Sequence, residues 1–194
     1  MKIIADEWMS LDGVVQSPSG PDEDPSGGFP HGGWHMPYFD DAAQNFVIEG
    51  VAAADAYLLG RGTYEIFAAH WPKAGSDEQM LAGPLNSKPK YVASTTLSAP
   101  LDWANSSLLS GDVPAAVAEL ARRGDGELHL IGSPKLVQTL IAAGLVDELR
   151  LMIDPVLLGT GKRLFPDDGG LRAWRLDGSV PTSTGALLVR YARA

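Results

Sequence analysis

Residues 55–65, DAYLLGRGTYE, constrain this chain more than any other stretch. The apolar run Ala56-Tyr57-Leu58-Leu59 has the length of a buried strand, and Gly60-Arg61-Gly62 separates it from helical sequence starting near Thr63. A strand that passes through a glycine turn into a helix leaves the first helical amides without internal partners. The aligned peptide dipoles add roughly half a positive charge there, so such a turn is a natural anion site. Glycine lets the main chain approach a phosphate with no Cβ in the way. The same unit recurs at residues 127–136, ELHLIGSPKL. Two units of this kind in one chain point to a ligand with more than one phosphate, or with a phosphate and a sugar.

Around these units the chain reads as alternating elements. Residues 2–9 form a strand that ends in the Asp12-Gly13 turn. Residues 16–37 are dominated by Gly, Pro, Ser and acids. A loop of that length in a compact domain is either a functional lid or a surface insertion. A helix is predicted over residues 38–54, where Phe39, Ala42, Ala43, Phe46, Val47, Gly50 and Val51 share one face. Asp40 and Asp41 fall in its first turn, where carboxylates are ordinarily favoured. A short helix at 77–85 precedes a strand at 90–93, which ends in Ser94-Thr95-Thr96. Hydroxyls at the C-terminal end of a parallel strand suit a ribose or phosphate. A short strand within 103–109, a helix over 113–123, the strand 127–131 and a helix to Ala143 follow. Next comes a strand over 148–158, bent at Asp154-Pro155, and then a hairpin of strands 173–177 and 186–191. This order predicts one α/β domain over residues 1–194. Its sheet is mixed but mostly parallel, with helices on both faces and a C-terminal antiparallel hairpin.

Charge and composition narrow the function. The chain has 24 acidic and 15 basic residues, a net charge of −9, and no run of Lys and Arg. Nucleic acid and anionic membrane surfaces are therefore disfavoured partners. With no cysteine, disulfides, thiol catalysis and Cys-ligated zinc are excluded. No apolar run approaches the ~18 residues of a membrane span, and the first residues lack a signal-peptide pattern, so a cytoplasmic location is expected. His31 and His35 are spaced like metal ligands, but Gly32-Gly33 argues against the helix that would align them, and no metal is expected. GRGTYE is not the dinucleotide fingerprint, because Glu65 takes the third glycine's place. Gly161-Lys162-Arg163 is not a P-loop, and no G-x-S-x-G elbow is present. His129 alternates within a strand and reads as structural.

The segment LLGRGTYE resembles the G-R-x-T-[WY]-E stretch of dihydrofolate reductases. Trp34, Pro37 and Asp40 are similar to their W-x-x-P-x-D, and Ile131-Gly132-Ser133-Pro134 to their I-G-G-x. A closer resemblance is to bacterial proteins of the riboflavin-reductase C-terminal type. These share Ser10-Leu11-Asp12-Gly13, residues 144–149 (GLVDEL) and Pro155-Val156-Leu157-Leu158-Gly159. The resemblance implies a dihydrofolate reductase-like fold binding NADPH, with NADH also possible, across the C-terminal strand ends. It implies cofactor contacts from Gly60, Arg61, Gly62 and Thr63 on one side and from Ile131, Gly132, Ser133, Pro134, Lys135 and Leu136 on the other. Ser94 and Thr95 would lie near the adenosine ribose.

Trp34 and Phe39 would face a small-molecule substrate, and Asp40 or Asp12 would supply the acid, with Asp41 as a rival. Asp40 sits one residue later than the family's substrate carboxylate, which turns a helical side chain by about 100°. No arginine lies between Arg61 and Arg122 to meet a 2′-phosphate, which leaves Lys88 or Lys90 as substitutes. The implied reaction is hydride transfer to a ribosylaminouracil phosphate or to dihydrofolate. A nucleotide binder without turnover stays open. These 194 residues, without cysteine, do not carry the pattern of the zinc deaminase half that often accompanies the riboflavin reductase, and a homodimer is implied by family habit.

Overall fold

The computed structural model describes residues 1–165 and 167–194. Eight strands form one sheet in the order β4-β3-β2-β5-β1-β6-β8-β7. They are β1 (Lys2–Ser10), β2 (Ala56–Gly60), β3 (Lys90–Ala93), β4 (Ser106–Leu109), β5 (Glu127–Ile131), β6 (Glu148–Asp154), β7 (Trp174–Pro181) and β8 (Leu187–Arg193). Strands β1 to β6 pair in parallel, while β8 runs antiparallel to both β6 and β7. The helices are α1 (Asp41–Ala53), α2 (Arg61–His70), α3 (Gln79–Ser87), α4 (Val113–Arg123) and α5 (Pro134–Ala142).

Alternation along the strands sorts the core into layers. Ile3, Ala5 and Met9 of β1 and Leu58 of β2 pack with Val117 of α4 and Val137 and Leu140 of α5. Tyr57 and Leu59, the intervening residues of β2, pack with Val51 of α1, Tyr64 of α2 and Leu85 of α3. Neighbouring side chains on a strand point to opposite faces, so the two helix sets cover opposite sides of the sheet. The β2–α2 connection returns toward β3, and the β5–α5 connection leads across β1 to β6. These opposite directions make the β2/β5 boundary the topological switch point, where α/β folds bind ligands.

Boundaries differ from the sequence reading for local reasons. Helix α2 starts at Arg61, with Gly60 in extended backbone as its N-cap, so Gly62 lies inside the first helical turn. Helix α1 starts at Asp41 after a separate 3-10 turn over Met36–Tyr38. Strand β6 stops at Asp154, because Pro155 has no N–H to continue the ladder. The expected strand at 103–109 begins only at Ser106. Trp103 is instead buried against Tyr64. Among the described residues no helix is long and apolar enough to cross a membrane.

Residues 16–37 hold themselves in place. The Gln16 side-chain amide donates to the Asp24 and Ser26 carbonyls at 2.9 Å, and Trp34 Nε1 donates to Gln16 O at 2.8 Å. Gly33 and His35 amides donate to Ser17 O and Pro18 O. Lys162 pairs with Asp24 from outside the loop, and the two segments enclose a hollow of about 300 Å³ beside Phe29 and Gly161.

Candidate functional site

Strands β2 and β5 are neighbours, so the two glycine turns come together at the switch point. Ser133 joins them. Its Oγ accepts the Gly60 amide at 2.8 Å and lies 2.7 Å from Thr63 Oγ1. To reach both, Ser133 takes a left-handed backbone with φ of 66°. The packing is tight: a Cβ on Gly60 would sit 2.8 Å from Ser133 Oγ, and one on Gly132 would sit 3.0 Å from Thr63 Oγ1. By contrast, a Cβ on Gly62 would meet nothing within 4 Å. Open space therefore lies over the first turn of α2.

The two helix starts are unequal anion sites. On α5, Pro134 has no N–H, and the Leu136 and Val137 amides donate to Ser133 O. The Gly132 amide donates to Asp6 O. That leaves the Lys135 amide and ammonium as the main donors on this side. On α2, the first amides, from Arg61 to Thr63, have no acceptor within the helix. The Arg61 guanidinium, paired with Glu65 at 3.1 Å on the exposed surface, is free to swing. These groups fit a pyrophosphate, chiefly on the α2 side.

Ser94 and Thr95 end β3 as expected, but the Ser94 hydroxyl serves its own turn. It accepts the Thr96 and Leu97 amides at 3.1 and 3.0 Å, while Thr95 is exposed. Lys88 and Lys90, expected near a 2′-phosphate, do other work. Lys88 Nζ donates to the Ala52 and Ala54 carbonyls at the end of α1. Lys90 is 0% exposed, donates to Leu85 O at 2.7 Å and sits 4.4 Å over the Trp103 ring. Burial pulls its ammonium down to about 8. Neither cation reaches out toward a ligand.

The two expected acids are structural in their contacts. Asp40 is the N-cap of α1. Its Oδ1 accepts the Ala43 amide at 3.0 Å, and its Oδ2 accepts the Ser183 hydroxyl and amide at 2.6 and 2.9 Å. The Ser183 hydroxyl, then the Ala43 amide, hold its carboxyl below the usual range. Asp12 clips the β1 exit turn to the chain after β6, accepting from Ser10 Oγ and from the Leu158 and Gly159 amides. Partial burial pushes its pKa up, but the Ser10 hydroxyl and these amides outweigh it and bring it to about 2. A carboxyl saturated with donors and held ionised is poorly suited to release a proton. Asp41, the rival, is simply exposed in the first turn of α1.

Three buried groups stand out that the sequence did not mark as catalytic. Glu7 is 7% exposed on β1, one residue past the last β1–β5 pair, Asp6 with Ile131. Burial, then the charge of Asp6, raises its pKa well above the carboxylate range, and its Oε1 has no partner among the described residues. His35 and Asp154 are both 0% exposed, with Nδ1 and Oδ2 2.6 Å apart. His35 Nε2 and Asp154 Oδ1 have no partner among the described residues. Trp8 stacks on His35 at 4.3 Å, and Trp34 and Phe39 meet it edge-on at 6.1 and 5.4 Å. The two expected substrate residues thus come together around a histidine.

Beneath α1, Asp6 pairs with both Arg150 and His129, and His129 Nε2 reaches Glu127 at 3.1 Å. Burial works against a charged His129, but the Asp6 hydrogen bond and charge prevail and raise its pKa. Its structural reading stands on these contacts.

The sheet order, the switch-point turns and the antiparallel hairpin define a dihydrofolate reductase-like fold. The structure aligns with dihydrofolate reductase from Enterococcus faecalis complexed with NADP(H) at a TM-score of 0.62 and 15% identity, covering 99% of this chain and 96% of that one. A putative riboflavin biosynthesis protein from Shewanella sp. PV-4 aligns at 0.70 and 21% identity, covering 100% and 99%. A pyrimidine reductase-like protein from Corynebacterium diphtheriae aligns at 0.69 and 14% identity, covering 100% and 92%. The Bacillus subtilis protein YyaP, itself uncharacterized, is 30% identical over 169 residues, 86% of this chain and 81% of its own. The family model of the RibD C-terminal domain matches residues 1–188, and the chain belongs to that family.

Proposed function

We propose that this protein is a nicotinamide-dependent reductase of the riboflavin-reductase type. In this reading it transfers hydride from NADPH to a small heterocyclic or ribosylamino-pyrimidine substrate. The observation that carries it is the Ser133 stitch, which brings two helix starts to one switch point and leaves open space over Gly62. The α2 amides and Arg61 hold the pyrophosphate, with Lys135 opposite. The cofactor supplies the hydride, and the protein's part is alignment and exclusion of water.

Preference between the two nicotinamide cofactors is weak in this reading. A charge-assisted bond to the 2′-phosphate is worth about 1.5–3 kcal/mol, and Lys88 and Lys90 are both committed elsewhere. NADPH and NADH are expected to bind within about tenfold of each other, a difference of about 1.4 kcal/mol. Titration of each, followed by tryptophan fluorescence, tests the proposal. A bulky replacement at Gly62 should weaken both, and binding of neither would reduce the family match to a statement about fold. One observation favours a nucleotide binder without turnover, namely that Asp40 and Asp12 are both saturated with donors. Oxidation of bound NADPH by a dihydropterin or a ribosylaminouracil decides against that alternative.

A further inference from the structure

Reduction of a C=N or C=O group places a hydride on carbon and a proton on the heteroatom, so the site needs an acid besides the cofactor. Neither Asp40 nor Asp12 has a proton to give. Glu7 alternates on β1 with Ala5 and Met9 and so faces the α4/α5 layer, away from Trp34 and Phe39. His35 lies on the other side of β1, stacked on Trp8 and walled by Trp34 and Phe39. Its partner Asp154 ends β6 directly beside Ser10, at the C-terminal edge of the sheet.

A carboxylate that accepts from Nδ1 fixes the imidazole's tautomer and turns Nε2 toward whatever lies opposite. A buried polar atom with no protein partner costs free energy, and a catalytic role is one of the reasons such an atom is retained. Here two such atoms, His35 Nε2 and Asp154 Oδ1, occur in one ion pair lined by aromatic rings.

Resting on the reductase reading above, we propose that His35 is the proton donor of this protein and Asp154 its positioning residue. The ring of a flat heterocycle then lies against Trp8 and Phe39. In the step His35, carrying a proton on both ring nitrogens, gives up the one on Nε2: that N–H bond breaks and an N–H or O–H bond forms on the substrate, while its carbon takes hydride and the C=N or C=O π bond is lost. The substrate gains two electrons, the reduced nicotinamide loses them, and neutral His35 recovers a proton from water. Because His35 is fully enclosed, residues 16–20, which hold it through Pro18 O and Trp34 through Gln16 O, must withdraw to admit substrate. Among the described residues Asp154 is the charged group that pairs with His35, and Trp8, Trp34 and Phe39 are the aromatic walls.

The test uses the full chain, imidazole nitrogen NMR, and dihydropterin and diaminouracil as probes of the two ring types. Either probe should move the His35 Nε2 resonance, and His35→Gln should weaken probe binding about tenfold, the worth of one good hydrogen bond, with NADPH affinity unchanged. Asp154→Asn should shift the His35 tautomer signature and abolish the probe-induced movement of Nε2, whereas an aspartate that only supports the fold would leave that probe-induced movement intact. If NADPH binds but neither probe moves Nε2, or if His35→Gln binds the probe like the wild type, the inference fails and the reductase reading survives. If a probe moves Nε2 while neither cofactor binds, the cofactor reading fails and the dyad remains a heterocycle site. If nothing binds, both fail. Where a variant does not fold, the wild-type resonance decides.

Discussion

Ser133 Oγ lies 2.8 Å from the Gly60 amide and 2.7 Å from Thr63 Oγ1, so one hydroxyl sets the spacing of the two helix starts that would hold a pyrophosphate. Ser133→Ala should destabilise the fold by about 1–2 kcal/mol through the lost hydrogen bonds, with the left-handed backbone strain unchanged. Ser133→Gly removes the same hydroxyl but relieves the backbone. Glycine should therefore recover part of the stability, measured by urea denaturation, while both variants lose cofactor affinity alike. Full affinity in the glycine variant would show that the stitch is a folding device only.

Gly50 makes room for the buried ion pair beneath α1. A Cβ there would lie 1.8 Å from Arg150 Nη1 and 3.2 Å from Asp6 Oδ1. Alanine usually stabilises a helix interior relative to glycine, but here Gly50→Ala should destabilise by about 1–3 kcal/mol, because a core overfilled by one carbon is strained. A melting temperature equal to or above that of the wild type would show that Arg150 has another rotamer available.

Glu7 gives stability a pH dependence of the less common sign. Burial, then Asp6, raises its folded-state pKa above the ordinary 4.5. The folded protein then binds more protons than the unfolded chain. Its contribution is most favourable below 4.5 and declines as pH rises toward the folded value. Glu7→Gln should therefore gain stability relative to the wild type as pH increases, and chemical denaturation at acid and neutral pH reads this directly. A constant difference between the two proteins would show that Glu7 is ionised and solvated in the fold.

The sheet was legible because apolar runs, glycine turns and amphipathic helices are local signals. The strand 56–60, the turn after it and its counterpart before Pro134 all lie where short-range patterning puts them. The chemistry at the substrate end was not local. His35 and Asp154 are 119 positions apart and meet only because β1 and β6 are neighbours. The Gly32-Gly33 pair spoke against a helix, and residues 32–35 form turns, but no spacing rule announces a histidine that folds back under its own loop. Lys90 misled for the same reason. Its position beside Ser94 is local, whereas its burial against Trp103 depends on the turn before β4.

The loop at 16–37 closes mainly on itself, through Gln16, Ser17 and Trp34, and touches the sheet through few side chains, His35 among them. Such a segment can be rewritten nearly whole without disturbing the glycine turns on the far side of β1. Relatives that share the sheet are thus free to diverge in the shape and chemistry of this one cassette. If Trp34, His35 and Phe39 face the substrate as proposed, grafting it between two members of the family is the shortest route by which one would acquire the other's substrate range.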